Sequence, residues 1–375
     1  MTGESVPDGW KLVRVSDLCR LQRGFDITEA TRAPGTVPVY SSSGISYHHS
    51  TAAVRPPGLV TGRKGLLGRV FLVDEPFWPH DTTLWADNFN GNEPKFVACV
   101  LESFHLERLD AATSVPTLNR NNLAAYQVAI PVSRAEQERI SSAVADADSA
   151  IRAVERLSAK MRDIKQGMMQ ELLTGRTRLP GFVDEWHQLT FGEIASPVSE
   201  RVGPGTVGGR VIELEHLSSA TGVLLGDEDV SSSLSLKTKF ARGDVLFGKL
   251  RAYLRKYWLA DRDGYCSTEI WALRPRPGVA TGSFLRYVVE QESFIDATST
   301  AYGTHMPRSD WGVVSKFELG LPSVDEQRAI AQLLTDSDAE LAALAKRLEA
   351  ALAIKTGMMQ ELLTGRTRLP LEAVS

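Results

Sequence analysis

The segment KQGMMQELLTGRTRLP at 165–180 returns as KTGMMQELLTGRTRLP at 355–370, with Gln166 against Thr356 the single difference in sixteen positions. A repeat of this kind limits the fold more than any other feature, because it makes the chain two copies of one unit. Walking back at the same offset, Ser133-Arg134-Ala135-Glu136-Gln137 becomes Ser323-Val324-Asp325-Glu326-Gln327, Ile140 becomes Ile330, and Asp146-Ala147-Asp148 becomes Asp336-Ser337-Asp338. After a one-residue gap, Ile130-Pro131 matches Leu321-Pro322, and Val115-Pro116 matches Met306-Pro307. More faintly, WKLVRVSDL from Trp10 matches WHQLTFGEI from Trp186. Each copy is therefore a variable part followed by a more constant one.

The constant parts read as long helices. Ser133 with Glu136, and Ser323 with Glu326, have capping-box spacing, and Pro131 and Pro322 stand just ahead of it. Ile140, Val144, Ala147, Ile151, Val154, Met161, Met168 and Leu172 follow steps of three and four, with Ser158 and Lys165 as polar steps. Ile330, Leu334, Ser337, Leu341, Leu344, Leu348, Ala351, Met358 and Leu362 do the same. This heptad pattern predicts a packed seam, and the simplest partner for one helix is its duplicate, running antiparallel. Some forty residues at about 1.5 Å each give a rod of roughly 60 Å. Gly175 and Gly365 follow as C-caps, whereas Gly167 and Gly357 lie inside the helices and suggest a close backbone approach, at a helix crossing or a docking partner, or else are tolerated helical glycines left by the duplication.

The expected division is 1–130, a first variable domain; 131–180, a helical spacer; 181–321, a second variable domain; and 322–375, a second spacer. Both variable domains read as β-rich, with runs such as VFLV (70–73), DVLFGKL (244–250) and EIWAL (269–273) between turn signals. Their middles do not align with each other. The net charge is −4, yet 237–276 holds ten basic residues against four acidic ones. There Lys237, Lys239, Arg242, Lys249, Arg251, Arg255 and Lys256 are interleaved with Phe240, Phe247, Tyr253, Tyr257 and Trp258. Cations among polar and aromatic side chains suit a phosphate backbone, although a solvated strand face over an aromatic core gives the same composition. The first domain offers Arg63, Lys64 and Arg69, the turn YSSSGISYHH (40–49) with Ser41 and Ser42, and TSVPTLNRNN (113–122) with Thr117, Asn119 and Arg120. Asn and Arg can pair with base edges, and in loops they also form turns.

Motifs for catalysis are missing. GKL at 248–250 lacks the phosphate-loop spacing, and Gly203-Pro-Gly205-Thr-Val-Gly208 leads into a strand-like run where a dinucleotide site needs a helix. His48-His49 and His80-Asp81 have no ligand cluster around them in sequence, so no metal is expected. Cys19, Cys99 and Cys266 are isolated, no apolar run approaches the ~18 residues of a membrane span, and the first residues lack a signal-peptide pattern. These features fit a cytoplasmic protein without membrane partners.

The ordered set Pro131…Glu136-Gln137…Ile140, its copy Pro322…Glu326-Gln327…Ile330, and MMQELLTGRTRLP twice resembles the specificity (S) subunit of type I restriction-modification systems. GDVLFGKLRAYLRK and YGTHMPRSDW, with Thr304, His305 and Arg308, are similar to that family as well. The resemblance implies an α+β fold: two globular α/β target recognition domains separated by two long antiparallel helices forming a coiled coil, a pseudo-two-fold tandem duplication. It implies that each domain reads one half of a split double-stranded DNA site. It further implies two methyltransferase (modification) subunits as partners, with or without restriction/translocase subunits. S-adenosylmethionine, and ATP with Mg, would be bound by those partners and not by this chain. Gln170, Arg176 and Arg178, with Gln360, Arg366 and Arg368, would then lie on partner-docking faces. A coiled-coil scaffold presenting two modules to other proteins is the alternative.

Overall fold

The computed structural model describes residues 6–28, 31–109, 116–299 and 307–370. Two compact units emerge, Met1–Glu155 with Lys346–Ser375, and Arg156–Ala345. The division runs through the two long helices.

The first unit begins with β1 (Trp10–Arg14), α1 (Val15–Leu18), β2 (Arg20–Arg23), β3 (Val37–Ser41) and β4 (Gly44–His49). It continues through β5 (Gly58–Gly62), β6 (Val70–Val73), β7 (Trp78–Pro79), β8 (Thr83–Asn88), α2 (Pro94–Ser103), α3 (Arg120–Ala125) and β9 (Gln127–Pro131). The helix α4 (Arg134–Leu172) follows, and its first half belongs to this unit. The second unit contains β10 (His187–Thr190), α5 (Phe191–Ile194), β11 (Ala195–Pro197), β12 (Arg201–Val202), β13 (Arg210–Ile212), β14 (Glu228–Asp229) and β15 (Lys237–Phe240). It adds β16 (Val245–Gly248), β17 (Tyr257–Leu259), β18 (Gly264–Ser267), β19 (Ile270–Pro275), α6 (Gly282–Glu290), α7 (Glu292–Ser299), α8 (Trp311–Val314), β20 (Glu318–Leu321) and the start of α9 (Val324–Leu362).

Both units share one frame that the sequence hid. The first has a four-stranded sheet in the order β2-β8-β5-β6 and the second one in the order β11-β19-β16-β17. Each also has a two-stranded ribbon, β1-β9 or β10-β20. The divergence lies in what is inserted at equivalent places: β4-β3-β7 in the first unit, and the five strands β12-β15-β18-β13-β14 in the second. Insertions into a fixed frame explain why the two middles cannot be aligned by eye.

The repeated motifs are the joints of this frame. Gln137 donates from Nε2 to Asn92 Oδ1 and the Pro131 carbonyl, at 2.9 and 3.0 Å, and accepts from the Glu93 amide at 2.9 Å. Gln327 makes the matching set with the Val279 and Pro322 carbonyls and the Thr281 amide. Buried amide side chains satisfied in this way fix the start of each helix against its own domain. The glutamates do not act as capping-box residues. Glu136 receives the Trp10 indole at 3.2 Å and Arg368, and Glu326 receives the Trp186 indole at 3.1 Å and both arms of Arg178. Their carboxylates are drawn inward to these stronger, charge-assisted partners.

The heptad seam is present, and each unit assembles it antiparallel. In the first unit Ile140 and Val144 of α4 join a core that includes Met358, Met359, Leu362 and Leu363. In the second, Ile330, Ala331 and Leu334 of α9 join Met168, Met169, Leu172 and Leu173. The polar steps Ser158 and Lys165 are buried too. Lys165 Nζ lies 2.5 Å from Glu290 and 2.7 Å from Asp338, while Lys355 Nζ lies 2.7 Å from Asp148 and 3.9 Å from Glu102. Lys165 is buried and Lys355 half-buried, and each is tolerated there because it meets two carboxylates.

Gly175 and Gly365 have φ of 72° and 71°, the left-handed caps expected. A Cβ on either would come within 3.1 Å or less of the ring of Trp186 or Trp10. The inference about Gly167 and Gly357 is corrected: a Cβ there would meet nothing within 4 Å, so no close approach within this chain requires them.

Candidate nucleic-acid interface

The loop after β5 and the loop after β16 are built alike. Arg63 O accepts from Leu118 N and Lys249 O from Ser309 N, at 2.8 and 2.9 Å. Gly65 N donates to Pro116 O and Arg251 N to Pro307 O, each at 2.9 Å. Single bridges join Lys64 to Thr117 and Leu250 to Arg308. The next residues, Asn119 and Asp310, cap the short helices α3 and α8 by accepting from Asn121 N and Gly312 N. Thus GRKG and PTLN in the first unit correspond to GKLR and PRSD in the second, and in each case two distant motifs are clamped together.

The second-unit cluster contains Lys249, Arg251, Tyr253 and Arg308. Arg308 is exposed and grips Glu269 with two bonds, Nε–Oε2 at 2.8 Å and Nη2–Oε1 at 3.1 Å. The side chains of Lys249, Arg251 and Tyr253 have no ion pair or hydrogen bond among the described residues. Arg255 pairs with Glu292 on α7. Thr304 and His305 lie outside the described residues.

In the first unit, Ser42 rests against the same loop: a Cβ on Gly65 would sit 3.4 Å from its Oγ. Ser41 Oγ donates to the Gly44 carbonyl at 3.0 Å, closing the β3–β4 turn. Arg69 Nη1 reaches the Ser43 carbonyl at 3.4 Å. Arg63 Nε donates to the Asp81 carbonyl at 3.0 Å, and Arg120 Nη1 to Gln22 Oε1 at 3.0 Å. Lys64 is exposed, and Thr117 is half-buried beside it. The β3–β4 turn with Ser41 and Ser42, the loop carrying Arg63, Lys64 and Arg69, and Thr117 therefore meet, although they come from three separate stretches, while Asn119 caps α3 and Arg120 turns to Gln22.

Two lysines stand elsewhere, in the inserted sheet. Lys237 is 6% exposed and pairs with Glu213 at 2.6 Å, so its reading as a phosphate ligand is corrected to a buried structural ion pair. Lys239 is exposed and pairs with Glu200 at 3.0 Å, which raises its pKa. Lys237 and Lys239 lie two apart on one strand and so share a face, and the pattern K-T-K gave no means of telling which of the two is covered.

Of the docking residues, Arg178 and Arg368 have partners inside the chain, Glu326 and Glu136. That role alone accounts for an arginine at this place in both copies. Gln170, Arg176, Gln360 and Arg366 are exposed. Asp26, His80 and Asp81 bring their ligand atoms within 4.8 Å of one another, but Asp81 is already paired with Arg23 at 3.0 Å. No helix among the described residues is long and apolar enough to cross a membrane.

Residues 7–161 match the family model described as the type I restriction modification DNA specificity domain. The type I restriction enzyme EcoDI specificity subunit of Escherichia coli is 20% identical over 420 residues, covering 100% of this chain and 91% of that protein. Among solved structures, the S subunit of a type I restriction-modification system from M. genitalium superposes with a TM-score of 0.63 at 14% identity, over 96% of this chain and 97% of that one. A chain from a study of complex assembly and conformational transition of the type I R-M system gives 0.61 at 17% identity, over 97% of this chain and 100% of that one. The two superpositions show the fold. Together the matches bear out the resemblance carried by the repeated helices.

Proposed function

We propose that this chain, a relative of the specificity subunits of type I restriction-modification systems, reads a bipartite double-stranded DNA site, one half with each unit. The observation that carries the reading is the clamped loop present in both units, with Lys64 on one and Lys249 and Arg251 on the other available to phosphates. The frame is duplicated because the task is duplicated, and the inserted sheets differ because the two half-sites differ. The paired helices set the gap between half-sites, as dimer geometry does in other DNA readers. Modification subunits, two per chain, dock on the exposed helix ends and the turns that follow them, which include Gln170, Arg176, Gln360 and Arg366. Those partners bind S-adenosylmethionine and methylate adenine, and restriction subunits, where they join, bring the ATP-dependent activity. This chain itself supplies recognition without catalysis.

The test is adenine methylation across the genome of the source cell, with and without this gene. Loss of methylation at one motif, two short half-sites around a fixed gap, is the expected result. A methylome unchanged by deletion, in a cell that expresses the modification subunits, would overturn the reading.

A further inference from the structure

The two clamped loops share more than their anchors. In the second unit the hairpin between β16 and β17 makes a single turn of 3-10 helix, Ala252–Leu254, flanked by two left-handed residues, Arg251 at φ 54° and Arg255 at φ 51°. In the first unit the hairpin between β5 and β6 has left-handed residues at Gly65 and Gly68, both at φ 90°. The strand pairs Phe247↔Tyr257 and Thr61↔Val70 align the two hairpins, so that Arg251 stands where Gly65 does and Arg255 where Gly68 does. One copy reaches this shape with glycine. The other holds arginines in a region that L-residues seldom adopt, so the surrounding contacts must fix it.

What the shape presents is apolar. Tyr253 is 55% exposed and Leu254 37% exposed at one tip, and Leu66 is 46% exposed at the other. Each tip is framed by cations, Lys249 and Arg251 in one loop, Lys64 and Arg69 in the other. Each is also braced from behind. Lys256 Nζ donates to the Leu214 and Leu217 carbonyls at 2.6 and 3.0 Å, and Thr61 Oγ1 donates to the Arg69 carbonyl at 2.8 Å. Exposed apolar side chains at equivalent places in two units that otherwise diverge point to a common occupant. The cations around them match a polyanion.

We infer that the two hairpin tips are wedges that enter DNA at a base step in each half-site, Tyr253 with Leu254 at one and Leu66 at the other, while the flanking cations hold the phosphates. The inference rests on the proposed reading of DNA and adds how the duplex is deformed. Wedges of this kind partly unstack a base step and kink the duplex, and the energy of that deformation depends on the sequence of the step. Each unit would then discriminate at a position where it makes no hydrogen bond to a base.

The test uses the full chain assembled with its modification subunits. A random-sequence duplex library is selected for binding, and the selected duplexes are probed with permanganate, which oxidises unstacked thymines. The expected result is hyper-reactive thymine at one step in each half-site. Tyr253→Ala removes the signal from one half-site and Leu66→Ala from the other. Tyr253→Phe retains it, because the ring and not the hydroxyl unstacks the step. Tyr253→Ala also weakens binding roughly tenfold, with the salt slope unchanged because no phosphate contact is lost. A thymine opposite an adenine flipped into a partner stays reactive in every variant and is thereby told apart. Reactivity that is absent from the wild-type complex, or equal in the Ala variants, overturns the wedges and leaves DNA reading standing. Loss of the modification subunits from the Ala complexes would assign the tips to a protein partner and overturn the inference too. Failure of the wild-type complex to select any duplex would overturn both this inference and the reading it rests on.

Discussion

Arg368 and Glu136 are 232 positions apart in sequence and 2.8 Å apart in space, Nη2 to Oε2. Arg178 and Glu326 repeat the pair with two bonds, at 2.6 and 2.7 Å. In both cases the arginine comes from one copy of the repeated segment and the glutamate opens the other copy's helix. Each also encloses a tryptophan, whose indole donates to the same carboxylate and whose ring covers the cap glycine.

The two joints differ in depth, which gives a first prediction. The Glu326 side chain is 1% exposed with Arg178 at 27%, whereas Glu136 is 8% exposed with Arg368 at 46%. Glu326→Ala leaves a guanidinium and an indole without their shared acceptor in the less hydrated place. Both Glu→Ala variants should lower the urea midpoint of the chain, and Glu326→Ala should lower it more. Equal midpoints would remove burial as the deciding factor.

The two matching lysines predict opposite pH responses. In the first unit Glu102 and Asp148 share Lys355, with no second cation paired to either among the described residues, and Glu102 titrates above its ordinary value because burial outweighs the attraction of Lys355, with Asp148 adding to the rise. In the second unit Glu290 and Asp338 face Lys165 and also Arg286, so Asp338, despite burial, titrates below its ordinary value. A raised carboxyl contributes stability that is full below its unfolded value, about 4.3 for Glu, and is lost as pH rises through the folded one. A lowered carboxyl contributes stability that is full above its unfolded value, about 3.9 for Asp, and is lost as pH falls through the folded one. Glu102→Gln should therefore raise the thermal midpoint at pH 7, with the gain vanishing below about pH 4. Asp338→Asn should lower the midpoint at pH 7. Thermal unfolding from pH 3 to 8 checks both.

Lysines of one stretch should separate by function. Lys249→Ala should flatten the salt dependence of DNA binding by about one unit while leaving stability unchanged. Lys237→Ala, which breaks the buried pair with Glu213, should cost about 1–3 kcal/mol of stability and leave the salt slope alone. Binding titrations at several salt concentrations, beside urea denaturation, test the pair. A changed slope for Lys237→Ala would return it to the interface.

The equivalent glycines Gly62 and Gly248 should tolerate alanine differently. A Cβ on Gly62 would lie 2.0 Å from the Leu66 carbonyl oxygen, whereas one on Gly248 would first meet the Leu214 side chain at 3.0 Å. Backbone cannot yield as a side chain can. Gly62→Ala should destabilise by about 1–3 kcal/mol and shift the hairpin that carries Leu66. Gly248→Ala should cost less than about 1 kcal/mol. Denaturation and DNA affinity of the two variants decide the matter.

The helices and their antiparallel pairing were legible because a heptad repeat is a local signal that survives in any context. The match of WKLVRVSDL to WHQLTFGEI was also sound: both tryptophans do one job. The shared four-stranded sheet was not legible. Its strands are short and interrupted by unlike insertions, and strand pairing is a non-local property that no window of sequence displays. Which of two side chains on one face is covered was hidden for the same reason. Lys237 and Lys239 sit two apart on one strand, yet pairing with Glu213 and not periodicity decided which was buried. Leu66 and Leu254 went unremarked because an exposed leucine has the same letter as a core one. The correspondence of Arg63 with Lys249 became visible only once Leu118 and Ser309 were seen donating to their carbonyls.

The division of the long helices between units sets the order in which they can be completed during synthesis. Residues 156–345 form one continuous stretch, so the second unit has all its parts as soon as that stretch has left the ribosome. The first unit lacks Met358, Met359, Leu362 and Leu363 until residues made some two hundred positions later arrive. Until then Ile140, Val144 and Trp10 have no apolar cover from that segment. The unit translated first is therefore finished last, and a nascent chain stopped before residue 346 carries a sticky seam that only its own missing segment, or a substitute for it, can close.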